Sequence, residues 1–229
     1  MFDLRRDFLE NRGMEYKLTR SKRRTVALEI KNGKLVVKAP YLAPKFAIER
    51  FISEKQSWIK KHLEKSKTDH KETRQYKTGE KYLYLGEKKN LEIGDAGEVK
   101  ISDDLIKVSA KNEIEVKIKL RKFYKVETAR IVKKYLAKYL DKFSNSSPKI
   151  TYKFYKSKWG SCSVKNHFSF SALLAMAPQE VIEYVVIHEL AHAKVKNHSK
   201  KFWYEVEKFD LNYKIHRKWL RDNHHKLSL

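Results

Sequence analysis

Apolar and polar residues alternate at Val26, Leu28 and Ile30, break at Asn32-Gly33, and resume the same period at Leu35 and Val37. Successive strand side chains point to opposite faces, so this pattern predicts two half-buried strands. Asn-Gly between alternating runs predicts a hairpin, because both turn positions favour positive φ. Pro40 and Pro44 close the element. From Lys45 the period lengthens, and Ile48, Phe51, Ile52, Ile59 and Leu63 fall on one helical face with Trp58 beside it. Residues 65–77 carry no periodic apolar signal and predict a surface connection.

Tyr82 to Leu85, before Gly86, reads as a strand, with shorter strand candidates at 90–93, 98–101 and 104–109. Val116, Leu120, Tyr124, Ile131, Tyr135 and Tyr139 predict a long helix from about Glu113 to Phe143, its other positions rich in lysine. Ser144 to Pro148 ends it. Lys149–Tyr155 and His167–Ala175 read as strands, joined by the tight connection Lys158-Trp159-Gly160-Ser161-Cys162-Ser163. Pro178 opens another helix, with Gln179 and Glu180 in its first turn, where negative charge suits the dipole. Helices near 200–209 and 213–225 follow. These elements predict an α+β fold, with a β-rich N-terminal region holding one helix over 1–112 and a second domain over 113–229.

The helix opened by Pro178 contains His188-Glu189-Leu190-Ala191-His192, with His198 six residues on. Histidines four apart lie about 40° apart around a helix, so both imidazoles project from one face. They supply two corners of a tetrahedral zinc site, and Glu189, one position along, can act on a water there as a base. The third ligand comes from elsewhere. On an unbroken helix His198 would lie about 240° from His192 and about 9 Å along the axis, facing away. It can join only if the helix stops near Val195 and the chain reverses at Lys196-Asn197, where Asn tolerates the left-handed conformation. Ser199 could then cap the next helix. The other candidates for the third ligand are Glu205 and Glu207.

Charge adds a second theme. The 229 residues carry a formal net charge of +24, of which +16 falls in residues 116–229. An excess concentrated in the half with the histidines makes an anionic substrate, a nucleotide or a nucleic-acid contact plausible, although a solvated lysine-rich surface explains it equally well. Lys158 could serve an anionic substrate, but it is one lysine among many. Cys162 is the sole cysteine, which excludes an intramolecular disulfide. It reads as a small residue in a tight connection, a nucleophile, or a fourth ligand closing the metal site. His224 and His225 match no ligand spacing, and Trp159 and Trp203 read as core. No apolar run reaches the roughly 18–20 residues needed to span a bilayer, and residues 1–13 lack the apolar stretch of a signal peptide, so a soluble, cytoplasmic protein is expected.

Lys158-Trp159-Gly160-Ser161-Cys162, the His188–His192 helix, Asn197-His198-Ser199 and Phe202-Trp203 together resemble the YgjP-like metallopeptidase family. That family is related to the SprT/Spartan and yeast Wss-type proteases. Ser21-Lys22-Arg23-Arg24, Ala39-Pro40, Trp58-Ile59 and Tyr84-Leu85-Gly86 extend the likeness over nearly the whole chain. The resemblance implies His188, His192 and His198 as ligands of one zinc ion and Glu189 as catalytic base. It also implies a zincin-like α+β domain after a β-rich N-terminal region, and a protein or peptide substrate. Related metzincins place glycine where this chain has Val195, so their turn does not carry over. Two other functions use the same residues: a zinc-dependent nucleotide pyrophosphatase, and a nucleic-acid-binding module whose zinc is structural.

Overall fold

The computed structural model describes residues 8–11, 13–31, 33–68, 74–94, 97–143, 148–155 and 157–229. The chain divides into two compact units, Met1–Glu72 and Thr73–Leu229.

In the first unit, β1 (Phe8–Asn11), β2 (Met14–Ser21), β3 (Ala27–Lys31) and β4 (Lys34–Pro40) form a sheet in the order β1-β2-β4-β3. The predicted hairpin is β3–β4, with Lys31 opposite Lys34 and Gly33 at φ +73°. Its Asn32 lies outside the described residues. β2 pairs in parallel with β4; neither it nor β1 is among the predicted strands, and in β2 Met14, Tyr16 and Leu18 alternate, but among charged neighbours. The apolar stripe from Lys45 is carried by two helices, α1 (Lys45–Glu54) and α2 (Gln56–Thr68), separated at Lys55. Their Ile48, Ile52 and Ile59 are buried with Tyr16, Leu35, Val37 and Ala39.

The second unit contains β5 (Lys81–Tyr84), β6 (Glu87–Gly94), β7 (Lys100–Ile101) and β8 (Leu105–Ser109), in the order β5-β6-β8-β7. Then come α3 (Glu113–Phe143) and a sheet of β9 (Ile150–Lys153), β10 (Gly160–Cys162) and β11 (Phe168–Ser171), in the order β10-β11-β9. A 3-10 turn at Leu174–Met176 leads to α4 (Gln179–Lys194), α5 (Lys200–Glu207), α6 (Tyr213–Asn223) and a second 3-10 turn at His224–Lys226.

Other expectations change as well. The units divide at Glu72/Thr73, not at 112/113, because Tyr82, Leu91, Ile106 and Val108 of β5–β8 share one core with Val116, Leu120 and Tyr124 of α3. The strand expected over 167–175 stops at Ser171 and gives way to the 3-10 turn. The tight connection at 158–163 contains a strand, β10, antiparallel to β11. The expected helix end at Ser144 to Pro148 lies mostly outside the described residues.

Two contacts set the position of α4. Leu85 (φ +51°) and Gly86 (φ +89°) form the tight β5–β6 turn, and their N–H groups donate to the Ala175 and Met176 carbonyls at 2.8 and 3.0 Å. A Cβ on Gly86 would approach Pro178 Cγ to 2.8 Å, so glycine lets the turn sit against the entry to α4. From α3, Thr128 donates to the Ala172 carbonyl (2.9 Å) and accepts the Ala175 N–H (3.1 Å). Val181, Ile182, Val185, Val186, Ile187 and Leu190 then bury α4 on several sides. Burying each such side chain contributes about 1.5–3 kcal/mol. Among the described residues, no helix is long and apolar enough to cross a membrane.

Candidate metal centre

His188 and His192 lie one turn apart on α4, with ring centroids separated by 5.1 Å. The helix stops at Lys194, and Val195 is extended (φ −133°, ψ 109°), so the chain turns away from the helix axis. This reversal returns His198 to the two helical histidines. One ring nitrogen from each of the three lies within 4.8 Å of the other two. His188 Nε2 and His198 Nε2 are 3.1 Å apart. Two nitrogens on a tetrahedral zinc with bonds of 2.0–2.1 Å stand about 3.3 Å apart, so this pair matches the donor spacing of such an ion.

The turn differs from the one expected. Asn197 is not left-handed; its Oδ1 accepts the Ser199 N–H at 3.3 Å. Ser199 stands at the cap position of α5 but makes no side-chain capping bond. Lys196 anchors the turn: Nζ donates to Asn166 Oδ1 (2.6 Å) and the Ser163 carbonyl (3.0 Å), tying it to the β10–β11 hairpin. Phe202 lies against all three imidazoles, at centroid distances of 4.9, 4.4 and 4.8 Å from His188, His192 and His198. Trp203 stacks on His198 at 5.7 Å and on Tyr213 at 5.1 Å. An aromatic wall therefore restricts how the rings can rotate.

Burial holds His188 well below the usual imidazole range, down to about 3, with the neighbouring His192 and His198 and the Arg217 cation adding to it. Burial also lowers His192. Both rings are thus held neutral, the form that ligates a metal. The His192 Nδ1–H points to the Val195 carbonyl at 3.0 Å, which leaves Nε2 with its lone pair. The Tyr184 hydroxyl lies 3.4 Å from His188 Nδ1.

Glu189 is buried, and burial pushes its carboxyl up to about 8, with Lys158 pulling the other way. Its Oε2 has no hydrogen-bond partner. β10 covers it: a Cβ on Gly160 would stand 2.5 Å from Glu189 Oε1 and 2.6 Å from Cγ. Glycine is required there by close approach, because any side chain would displace the carboxylate. A cavity of about 500 Å³ opens beside these groups, lined by Lys158, Trp159, Gly160, Tyr184, His188, Glu189 and Arg217 among others.

A family model described as YgjP-like, metallopeptidase domain matches residues 24–223. The chain belongs to the YgjP-like metallopeptidase family. Membership makes it a metallopeptidase, implies a metal, and implies a protein or peptide substrate. Two solved structures are similar to parts of it. The metallopeptidase zymogen jannalysin of Methanocaldococcus jannaschii is 24% identical over 42% of this chain and 95% of its own, with a TM-score of 0.36. The zymogen abylysin of Pyrococcus abyssi is 25% identical over 42% of this chain and 93% of its own, with a TM-score of 0.33. No curated protein matches.

In this YgjP-like chain the other candidates lie apart from the cluster. The Glu205 carboxylate is held by Lys208 (2.6 Å) and Lys194 (3.5 Å), and Glu207 is exposed. Cys162 Sγ lies 3.6 Å from Lys196 Nζ and 3.8 Å from Asn166 Oδ1, and burial pushes its thiol up, so it is a weak nucleophile. The sequence reading gave no site role to Gly160, Tyr184, Phe202 or Arg217. Trp159-Gly160 had a signal, since a glycine in a tight connection invites a close-approach reading. Arg217, nearly thirty positions from Glu189, had none.

Proposed function

We propose that the Thr73–Leu229 unit is a zinc-dependent metallopeptidase with His188, His192 and His198 as ligands and Glu189 as general base. The observation that carries this reading is the convergence of three imidazole nitrogens within 4.8 Å beside a buried carboxylate whose Oε2 has no partner. Three imidazoles suit zinc, and a three-histidine ligand set of this kind would leave one position for water or substrate. Zinc held there supplies a Lewis acid for the scissile carbonyl and for the attacking water.

The chain's own groups do the rest. Glu189 accepts the proton of the attacking water at a carboxylate oxygen and delivers one to the departing amine. Gly160 holds that carboxylate under β10, and the Val195 carbonyl fixes the His192 tautomer. Phe202 and Trp203 hold the rings in the geometry that the metal requires.

Glu189→Gln tests the reading, because it keeps size and loses the base. The zinc-loaded variant should keep its metal and unfolding temperature while peptide hydrolysis falls about 10²–10⁴-fold. Hydrolysis at the wild-type rate would overturn it. Nucleoside triphosphates offered in parallel separate the phosphoanhydride reading, which predicts pyrophosphate release lost in the same variant. The structural-zinc reading predicts no hydrolysis at all. It also leaves the unpaired Glu189 oxygen without a purpose.

A further inference from the structure

Part of the cavity lining beside Glu189 is not used by the hydrolytic step. Lys158 enters from the loop before β10, and Arg217 and Arg221 enter from α6. The two arginines are four apart on the helix and so share a face. Among the described residues, neither Lys158 nor Arg217 is ion-paired with a carboxylate. Lys158 Nζ donates to Ser161 Oγ at 3.2 Å and lies 4.4 Å from the centre of the Tyr155 ring. The Arg217 guanidinium lies 4.9 Å from the centre of the Trp203 ring, leaving its edge donors available. Arg221 reaches Asp222 at 3.3 Å with a side chain that is 72% exposed, so that pair holds it weakly.

Among the described residues, Glu189 is the single carboxylate in the lining, and the rest of the wall includes Trp159, Val185 and Leu220. Three side-chain cations thus line the cavity that contains Glu189. Resting on the metallopeptidase reading, we propose that this cavity is a specificity subsite for peptides that carry a carboxylate next to the scissile bond, held by Arg217 and Arg221 with Lys158 contributing charge. A guanidinium fork matches a carboxylate with two parallel hydrogen bonds. The partly apolar walls suit the methylene stem of an acidic side chain, or a terminal residue. The recess suits these better than a nucleic-acid backbone, which calls for an extended basic groove with stacking platforms.

The zinc-loaded full chain is given two peptide libraries of identical composition, one acetylated and amidated at its ends, the other with free C-termini. Mass spectrometry locates the cut bonds, and kcat/KM is then measured for single peptides with Glu, Gln or Lys at the selected position. The expected preference for Glu over Gln is about 10–100-fold, the worth of one or two charge-assisted hydrogen bonds. Arg217→Gln/Arg221→Gln should bring that ratio close to one, and Arg217→Glu should shift the preference towards Lys. Zinc content and unfolding temperature check each variant, and Arg221→Gln, at an exposed position, carries the test where Arg217 variants fail to fold. A preference confined to the free-acid library identifies the C-terminal carboxylate as the ligand; one present in both identifies an internal Asp or Glu.

Cleavage indifferent to acidic residues, or a preference that survives the double substitution, overturns the subsite and leaves the metallopeptidase reading standing. Hydrolysis of nucleoside triphosphates with no peptide cut overturns both.

Discussion

Among the described residues, Met1–Glu72 buries Tyr16, Leu35, Val37, Ala39, Ile48, Ile52 and Ile59, whereas Thr73–Leu229 buries Lys89, Thr128, Ser171, Glu189 and Glu205 as well as its apolar core. Most of those polar groups are paired. Thr128 bonds the backbone at Ala172 and Ala175, and the Ser171 hydroxyl accepts the Leu173 N–H at 3.4 Å. Lys89 reaches Glu87 and the Asp103 carbonyl, and Glu205 is held by Lys194 and Lys208. Glu189 differs in keeping an oxygen without a partner. The first unit has two orphans of its own, the Tyr16 hydroxyl and Arg23 Nε, but a neutral hydroxyl costs less to bury than a carboxylate, and the Arg23 side chain is only half-buried. A buried group left unpaired costs about 1–3 kcal/mol, more when charged. A core built only for stability gains nothing from retaining Glu189, so the contrast agrees with the role proposed for that carboxyl in the second unit.

The contrast can be attacked hardest at Gly160. Gly160→Ala forces its Cβ onto a carboxylate 2.5 Å away, so kcat/KM for peptide should fall about 10²–10³-fold from misplacement of the base. Bound zinc and far-UV circular dichroism should persist. Activity within a few-fold of wild type would mean that the position of Glu189 does not matter.

Lys196→Met comes next, since it removes the hydrogen bonds to Asn166 and Ser163 while keeping the length of the side chain. Zinc affinity, measured by competition with a chromogenic chelator, should weaken about tenfold, the lower end for loss of groups that orient ligands. An unchanged affinity would show that the turn needs no tie to the β10–β11 hairpin.

The smallest effect belongs to the first unit. Ile48→Val deletes one methylene from an apolar core and should cost about 1 kcal/mol, seen as faster amide exchange in β2 and β4. Zinc affinity and peptide hydrolysis should stay at wild-type levels. A parallel fall in either would erase the distinction between the units.

Much of this was readable along the chain, and the parts that were not share a cause. The β3–β4 hairpin, the α3 stripe and the i, i+4 histidines follow from fixed local geometries: two residues per pleat and 3.6 per turn. Such repeats write themselves into a short window of sequence. The chain reversal was inferable from His198, because an unbroken helix would have pointed that histidine away, but its form was not. The structure uses an extended Val195 and the Asn197 side chain where a left-handed Asn197 was expected. The break at Lys55 escaped notice because Ile48, Ile52 and Ile59 keep one face across it.

The tertiary structure alone decided which strangers in sequence meet at Glu189. Gly160 lies there because β10 runs against α4, not because its backbone angle demands glycine. Arg217 and Arg221 reach the same cavity from α6. The division at Glu72/Thr73 likewise depends on β5–β8 sharing a core with α3. Periodicity records which side of an element is apolar, but not which distant element will cover that side. The proposed ligands of this protein were therefore written in one helix and one turn, while the groups that confine its proposed base and line its cavity were assigned by packing.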